Sequence, residues 1–477
     1  VSGAIHAPAD VPLRLTWVQP EDLVGHELRQ AAEDGRDPGR VARIAARWHA
    51  AGGHDAPPRA GASPRPVAPE LRALAGELLD ELAAVPSPLP EPSGLEEIRA
   101  SAPGGFDADP ADPHAGHHGL DDRMLGAWLG RAAGCVLGKP VEKIPREGIR
   151  EIAEATGNWP IRGWFTAVGL PPEVAARWPW NRRSAANSLA ENIAGVPEDD
   201  DLNFPLIALS VLERFGRGFT TADVATTWLD ELPAGRVFTA ERVAYRNLLA
   251  GIEPPGTATW RNPFREWIGA LIRADVYGWA NPGDPWTAAA HAWRDARLSH
   301  TANGLYGAMM VAAMCARSLA VPAGDPARAV RDVVDAGLSV VPTGSRLARA
   351  VREAVADAEA ESDFERVVDR LYARHGGLHW VHTVNNAALV AAALVHGRGD
   401  FGASVAGAVA AGWDTDSAGA TVGSIAGGLL GAARLPDQWI AGDRLSTTLR
   451  GFDGVGFDEL ARRTLAAGPG PKGTTRV

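Results

Sequence analysis

Two short stretches of this chain concentrate oxygen ligands. "VPEDDDLNFPLIALSVL" carries Glu198, Asp199, Asp200 and Asp201 directly after Pro197, and "GWDTDSAGATVGSIAGGLLG" carries Asp414, Asp416 and Ser417. Each acidic cluster stands immediately before an apolar segment of helical character. Capping and the helix dipole favour acidic side chains at such a position, which accounts for one or two of them. Three or four neighbouring carboxylates repel one another unless solvent or a cation lies between them. A set of oxygen ligands that includes a hydroxyl is what hard divalent cations such as Mg²⁺, Mn²⁺ or Ca²⁺ select. On the residues alone, an exposed capping cluster and a divalent-cation site both remain open.

The second cluster leads into a segment with Gly419, Gly423, Gly427 and Gly431 at every fourth position. In a helix each glycine costs about 1 kcal/mol relative to alanine. A ridge without Cβ atoms lets a neighbouring helix approach closely, which offsets that cost and would hold Asp414 and Asp416 at a fixed depth. Close packing with no site attached accounts for the glycines equally well. Glycines near Gly134 read as packing too, because no strand precedes them as a phosphate-binding loop requires. Cys135 sits in a small-residue helix and reads as a packing thiol, and no nucleophilic Ser/His/Asp or Cys/His set is called for.

The elements that must position these groups are helical almost throughout. From about Asp121 onward, segments such as "DDRMLGAWLGRAAGCVLG" and "NNAALVAAALVHG" follow a helical pattern and strand-like alternation is scarce, so one large all-α domain is expected over 119–465. Residues 1–118 read as an accessory region of short amphipathic helices, near Leu23, Val24 and Leu28, near Val41, Ile44 and Trp48, and near Leu71 to Leu82, separated by proline-rich breaks. Residues 466–477 read as a flexible tail. His114, His117 and His118 read as a solvated linker, with metal binding as the alternative.

The net charge of -11, from 47 basic and 58 acidic residues, argues against broad contact with nucleic acid or anionic membranes and leaves a small ligand open. The chain has two cysteines, Cys135 and Cys315, and starts without a signal-like segment, which points to a reducing, cytoplasmic setting. The Ala/Gly-rich stretches between 387 and 433 read as buried helices rather than membrane spans. Trp159, Trp164, Trp178 and Trp180 crowd the stretch before the first cluster, where packing is favoured over stacking on a base.

Taken with "GCVLGKPVE" (134 to 142), the stretches "EDDDLNF" (198 to 204) and "GWDTDSAG" (412 to 419) resemble, in order and spacing, the motifs of the ADP-ribosylglycohydrolase family. The likeness runs over about 121 to 465. It implies the all-α multi-helix fold of that family with a helical N-terminal extension. It also implies a dinuclear Mg²⁺ site, with Mn²⁺ as the alternative, ligated by Asp199, Asp200, Asp201, Asp414, Asp416 and Ser417. Glu142 matches the glutamate of the first motif, and Glu142, Asp200 and Asp414 are the implied catalytic residues. The register is set by Asn203 and Phe204; a shift by one would bring in Glu198. Three positions depart from the family pattern: Asp199 stands where threonine is common, Cys135 where aspartate is usual, and Trp413 where glycine or aspartate is usual.

The activity implied is metal-dependent hydrolysis of a glycosidic bond between ADP-ribose, or a related ribosyl nucleotide, and a leaving group. That group would be a small molecule or the side chain of an ADP-ribosylated protein. Three alternatives stand beside it: a non-catalytic ADP-ribose-binding or structural protein, an enzyme of secondary metabolism acting on a nucleotide-derived small molecule, and a metal-dependent phosphohydrolase. Arg265 and Arg273 are candidates for binding phosphate, with structural ion pairs as the competing account. His300, Asn303, His382 and Asn385 are candidates for lining the ligand cleft, with buried helix caps competing.

Overall fold

The computed structural model describes residues 18–58, 61, 67–104, 119–322 and 324–469. His114, His117 and His118 lie outside the described residues, as do positions 470–477 of the expected tail. Among the described residues the secondary structure is helical, with isolated bridges such as Val196 to Leu445 and no strand. No described helix is long and apolar enough to cross a membrane.

By its contacts the chain forms two compact units. Of the described residues, one unit takes those up to 90 with 237–265 and 298–300; the other takes those within 91–236, 266–297 and from 301 onward. In the first, helices Pro20–Glu33, Pro38–Ala50 and Pro69–Ala83 each open with proline in the first turn. At that point the missing N–H has no intrahelical acceptor to lose. They bury Leu23, Val24, Trp48, Leu78 and Leu82, the apolar positions of the sequence pattern.

The second unit is built on two glycine helices, Leu120–Gly138 and Thr415–Leu430. They run antiparallel in contact. A methyl added at Gly126, Gly130 or Gly134 would overlap the main-chain oxygen of Gly427, Gly423 or Gly419, and the reverse holds at those three positions. Neither helix could carry side chains along this seam. The partner that the glycine spacing calls for is therefore another helix with the same spacing, so that backbone meets backbone. The Thr415–Leu430 helix also packs against Phe401–Ala410 and Thr383–Gly397, and Thr415 to Gly428 are all buried.

Antiparallel pairing has a direct consequence for the acids. At Gly138, the C-terminal end of the first glycine helix, an added Cβ would overlap the backbone of Thr415 and Asp416. The Thr415 hydroxyl donates to the Gly138 carbonyl at 2.8 Å. Lys139 and Glu142, which follow Gly138 through a short 3-10 turn, are thus delivered to the N-terminal end of the second glycine helix, where Asp414 and Asp416 begin it.

Candidate metal centre

The third element is the helix Asp200–Phe215, whose N-cap is Asp199. The Asp199 carboxylate accepts from the Asp201 backbone N–H at 3.0 Å, so this acid does cap its helix. Asp414 holds the same position before Thr415–Leu430 but makes no side-chain cap hydrogen bond. Capping therefore accounts for one of the acids and leaves the others over.

The two helix starts converge. One carboxylate oxygen from each of Asp199, Asp201 and Asp416 can be chosen so that all three lie within 4.8 Å of one another. The Ser417 hydroxyl donates to Asp201 Oδ2 at 3.1 Å, and the Ser417 backbone N–H donates to Asp416 Oδ1 at 3.1 Å. Asp201, Asp414, Asp416 and Ser417 are buried, whereas Asp200 is half-buried. Glu142 is half-buried as well; it accepts from Asn181 Nδ2 at 2.6 Å and pairs with Lys143 at 2.5 Å.

Burial and mutual repulsion dominate the electrostatics. Burial, joined by the Asp199 and Asp201 charges, pushes the Asp200 carboxyl far above its usual range. Asp201 is raised by burial although the Arg131 guanidinium opposes it. Burial and the Glu142 charge raise Asp414 to about 7 and hold Asp416 well up as well. For Asp199 burial acts the same way, but the Lys139 ammonium beside it prevails and holds that carboxyl below its usual value. These groups cannot all ionise together without a counter-charge. A hard cation surrounded by carboxylate and hydroxyl oxygens supplies one, so the donor set fits a Mg²⁺- or Mn²⁺-type ion.

Glu198, the residue that a shifted register would have recruited, faces other partners. Its carboxylate accepts from Asn203 Nδ2 at 3.0 Å, from the Thr448 N–H at 3.0 Å and from the Thr448 hydroxyl at 2.5 Å, and it pairs with Arg236 at 3.2 Å. Hydrogen bonds from Thr448 and Asn203 draw its pKa down against the upward pull of burial. The register that leaves Glu198 out of the cluster has this geometry behind it.

Sequence reasoning did not single out Arg131, Lys139 or Asn386 as supports of the centre. Arg131, fully buried, donates from Nε to the Asp201 carbonyl at 2.7 Å and from Nη2 to Asp201 Oδ1 at 3.2 Å, and it pairs with Asp275. That carbonyl is free because Pro205, four residues on, has no N–H to complete the helical bond. Pro205 was thus a readable signal that something else must satisfy Asp201. Lys139 donates to the Glu198 carbonyl at 2.7 Å and to Asp199 Oδ2 at 2.8 Å. Asn386 accepts from the Asp414 N–H at 3.4 Å and donates to the Trp380 and His382 carbonyls, both at 2.9 Å. Trp413 (φ 57°) lies stacked on Tyr372 with centroids 4.5 Å apart, and Gly412 (φ 81°) places its bare α-carbon where a Cβ would press on the Tyr372 hydroxyl.

The residues expected to bind substrate make the following contacts. Arg265, in the first compact unit, is buried between Glu27 at 2.8 Å and Asp34 at 2.7 Å. Arg273 is buried against Asp295 and the Gly269 carbonyl. His300, also in the first unit, shares a 2.8 Å hydrogen bond with Ser299 and lies 3.8 Å from Glu241. His382 caps the Thr383–Gly397 helix by accepting from the Val384 N–H at 3.1 Å, and Asn385 donates to the His379 carbonyl at 3.2 Å. Asn303 accepts from the Leu347 N–H at 3.0 Å and donates to Glu266 at 2.9 Å. Each of these residues thus has an ion pair, a helix cap or another hydrogen bond within the protein. Of the four tryptophans near the site, Trp164 packs edge-on to Trp439, Trp180 packs edge-on to Phe165, and the Trp178 indole donates to Glu151. The Arg150 guanidinium lies over the ring of Trp159.

An all-α protein whose glycine-helix pair presents a buried carboxylate centre is the class defined by this fold and site. The ADP-ribosylglycohydrolase family model matches residues 116–471, and the chain belongs to that family. Among solved structures, an ADP-ribosylglycohydrolase-related protein complex is similar at 23% identity, over 73% of this chain and 98% of that one, with a TM-score of 0.44. A comparison with curated proteins returns no significant match.

Proposed function

We propose that this protein is a divalent-metal-dependent hydrolase of the glycosidic bond between ADP-ribose, or a related ribosyl nucleotide, and a small-molecule or protein leaving group. The observation that carries the reading is the convergence of Asp199, Asp201 and Asp416, with Ser417, in a buried centre bordered by Asp200, Asp414 and Glu142. Residues 119–465 carry the chemistry in this reading, with 1–118 as an accessory region.

Asp199, Asp200, Asp201, Asp414, Asp416 and Ser417 would hold the metal, two Mg²⁺ ions or Mn²⁺ in their place. A bound divalent ion supplies positive charge and Lewis acidity at the substrate's hydroxyl oxygens and at the attacking water. The remaining work falls to the side chains. Cleavage at a ribosyl carbon passes through an oxocarbenium-like state, which nearby carboxylates stabilise by charge. Asp199, Asp200 and Glu142 are the half-buried acids of the centre, and since both oxygens of Asp199 already have donors, Asp200 or Glu142 can accept a proton from water. Lys143 and Asn181 fix Glu142 by bonding one oxygen each. Asp414, with a pKa near 7, can exchange a proton at neutral pH.

The test is mass-spectrometric detection of free ADP-ribose or a ribosyl product. The panel is ADP-ribosyl-arginine, an ADP-ribosyl-serine peptide, NAD and simple N-ribosides, each with Mg²⁺, with EDTA, and with Asp414→Ala and Asp416→Ala. Release that requires both metal and aspartates supports the reading and names the leaving group. ADP-ribose binding without turnover of any member sinks it in favour of a binding protein, and phosphate release in place of ribose-bond cleavage would make it a phosphohydrolase.

A further inference from the structure

Arg131, Cys135 and Lys139 recur at every fourth position and lie along one side of the first glycine helix and the turn that follows it. The two cations of this stripe meet different acids. Arg131 divides its charge between Asp201 and Asp275, whereas Lys139 meets one carboxylate among the described residues, that of Asp199.

We infer that Lys139 is a built-in counter-ion of the acidic centre, which competes with the divalent cation for Asp199 and so sets how tightly that cation is held. The inference rests on the metal-binding reading above. Its backbone is pinned: Gly138 before it abuts Thr415 and Asp416, and Pro140 follows it. Its side chain is 6% exposed, and the ammonium is fixed between the Glu198 carbonyl and Asp199 Oδ2, 59 and 60 residues along the chain. The other oxygen of Asp199, Oδ1, already accepts from the Asp201 N–H. Both oxygens of Asp199 therefore have a donor, yet Asp199 is one of the three carboxylates that can close around an ion. An ion placed among the three shares Asp199 with a positive charge held 2.8 Å from its Oδ2. Lys139 and Asp199 together are neutral, so the pair adds a ligand to the centre without adding net charge.

A residue that only positioned Asp199 would predict the opposite sign. Removing a positioning group weakens metal binding, whereas removing a competing cation tightens it. The experiment is Mn²⁺ titration of the metal-free full-length chain, with free Mn²⁺ read by electron paramagnetic resonance. Wild type is compared with Lys139→Met, with Lys139→Gln, which keeps a hydrogen-bond donor without the charge, and with Lys139→Arg, which keeps the charge. Lys139→Met and Lys139→Gln are expected to bind Mn²⁺ at least ~10-fold more tightly, and Lys139→Arg to stay near wild type. If Lys139→Met fails to fold, the glutamine variant decides. Unchanged or weaker binding in the neutral variants overturns the counter-ion role. Absence of Mn²⁺ binding by wild type overturns the metal reading itself, and with it this one.

Discussion

Buried charge is handled in two opposite ways in this protein. Away from the centre, Arg265 is buried between Glu27 and Asp34, Arg273 is buried against Asp295, and the part-buried Arg346 faces Glu91 and Glu266. At the centre Asp199, Asp200, Asp201, Asp414, Asp416 and Glu142 crowd together with Arg131, Lys139 and Lys143 as the cations beside them, and Arg131 is shared with Asp275. Matched pairs hold the fold. Excess carboxylate, with protonation forced upward by burial, leaves the centre short of positive charge. The difference separates structure from function here better than residue type does, since aspartates and arginines take part in both.

The largest effect that would sharpen this contrast is on turnover. Asp416→Asn is expected to lower product release by ~10³-fold while leaving the metal-free protein as stable as wild type or more so, since a neutral amide replaces a carboxyl whose ionisation burial already opposes. Steady-state rates and thermal melts of the metal-free form check both halves, and a clear loss of metal-free stability would break the comparison. At a matched pair the order reverses. Asp295→Asn removes the negative charge that faces the buried Arg273 and is expected to cost about 3–5 kcal/mol by denaturant melts, with or without metal.

Next comes the scaffold that brings the two ends together. Gly423→Ala places a methyl against the Gly130 carbonyl, backbone to backbone, with no flexible side chain to yield. A loss of about 3 kcal/mol is expected from urea unfolding, together with weaker metal binding as the helix ends separate. Gly451→Ala, where the added methyl meets open space, is the control for volume; its positive φ of 81° costs only backbone strain.

A smaller effect is the pH dependence of the metal-free protein. Asp414 rises from 3.8 to about 7 in the folded state, and Asp275, buried beside Arg131, rises to about 6. Between the unfolded and folded pKa values the native chain binds more protons. The stability these groups contribute is therefore complete below about 3.8 and is lost as pH rises through 6 to 7. Melting temperatures in EDTA should fall between pH 5 and pH 8, and saturating Mn²⁺ should remove most of that fall. A metal-free protein that melts higher at pH 8 than at pH 5 would break the comparison.

The sequence disclosed the fold class and the parts of the centre whose logic is local. Acids before apolar runs, proline in a first turn and glycine at every fourth residue each state a requirement of their own helix. The requirement for a second glycine helix was met by Gly126, Gly130 and Gly134, about 290 residues earlier in the chain, and the pairing emerges only when the two backbones touch. Partners set by folding alone were not legible. Whether Arg265 and Arg273 hold phosphate or ion pairs stayed open in the sequence because Glu27 lies 238 residues from Arg265, and Asp295 lies 22 from Arg273. Lys139 stood in plain view beside Glu142, but its contact with Asp199 depends on the antiparallel seam.

The measurement closest to the central claim is calorimetric titration of Mn²⁺ into the metal-free protein at pH 7, repeated in two buffers of different ionisation enthalpy. Carboxyls kept protonated by burial must release protons when they become ligands, so the account predicts binding with net proton release that is lost in Asp416→Asn. Binding without proton release, or an identical titration by the variant, would contradict it.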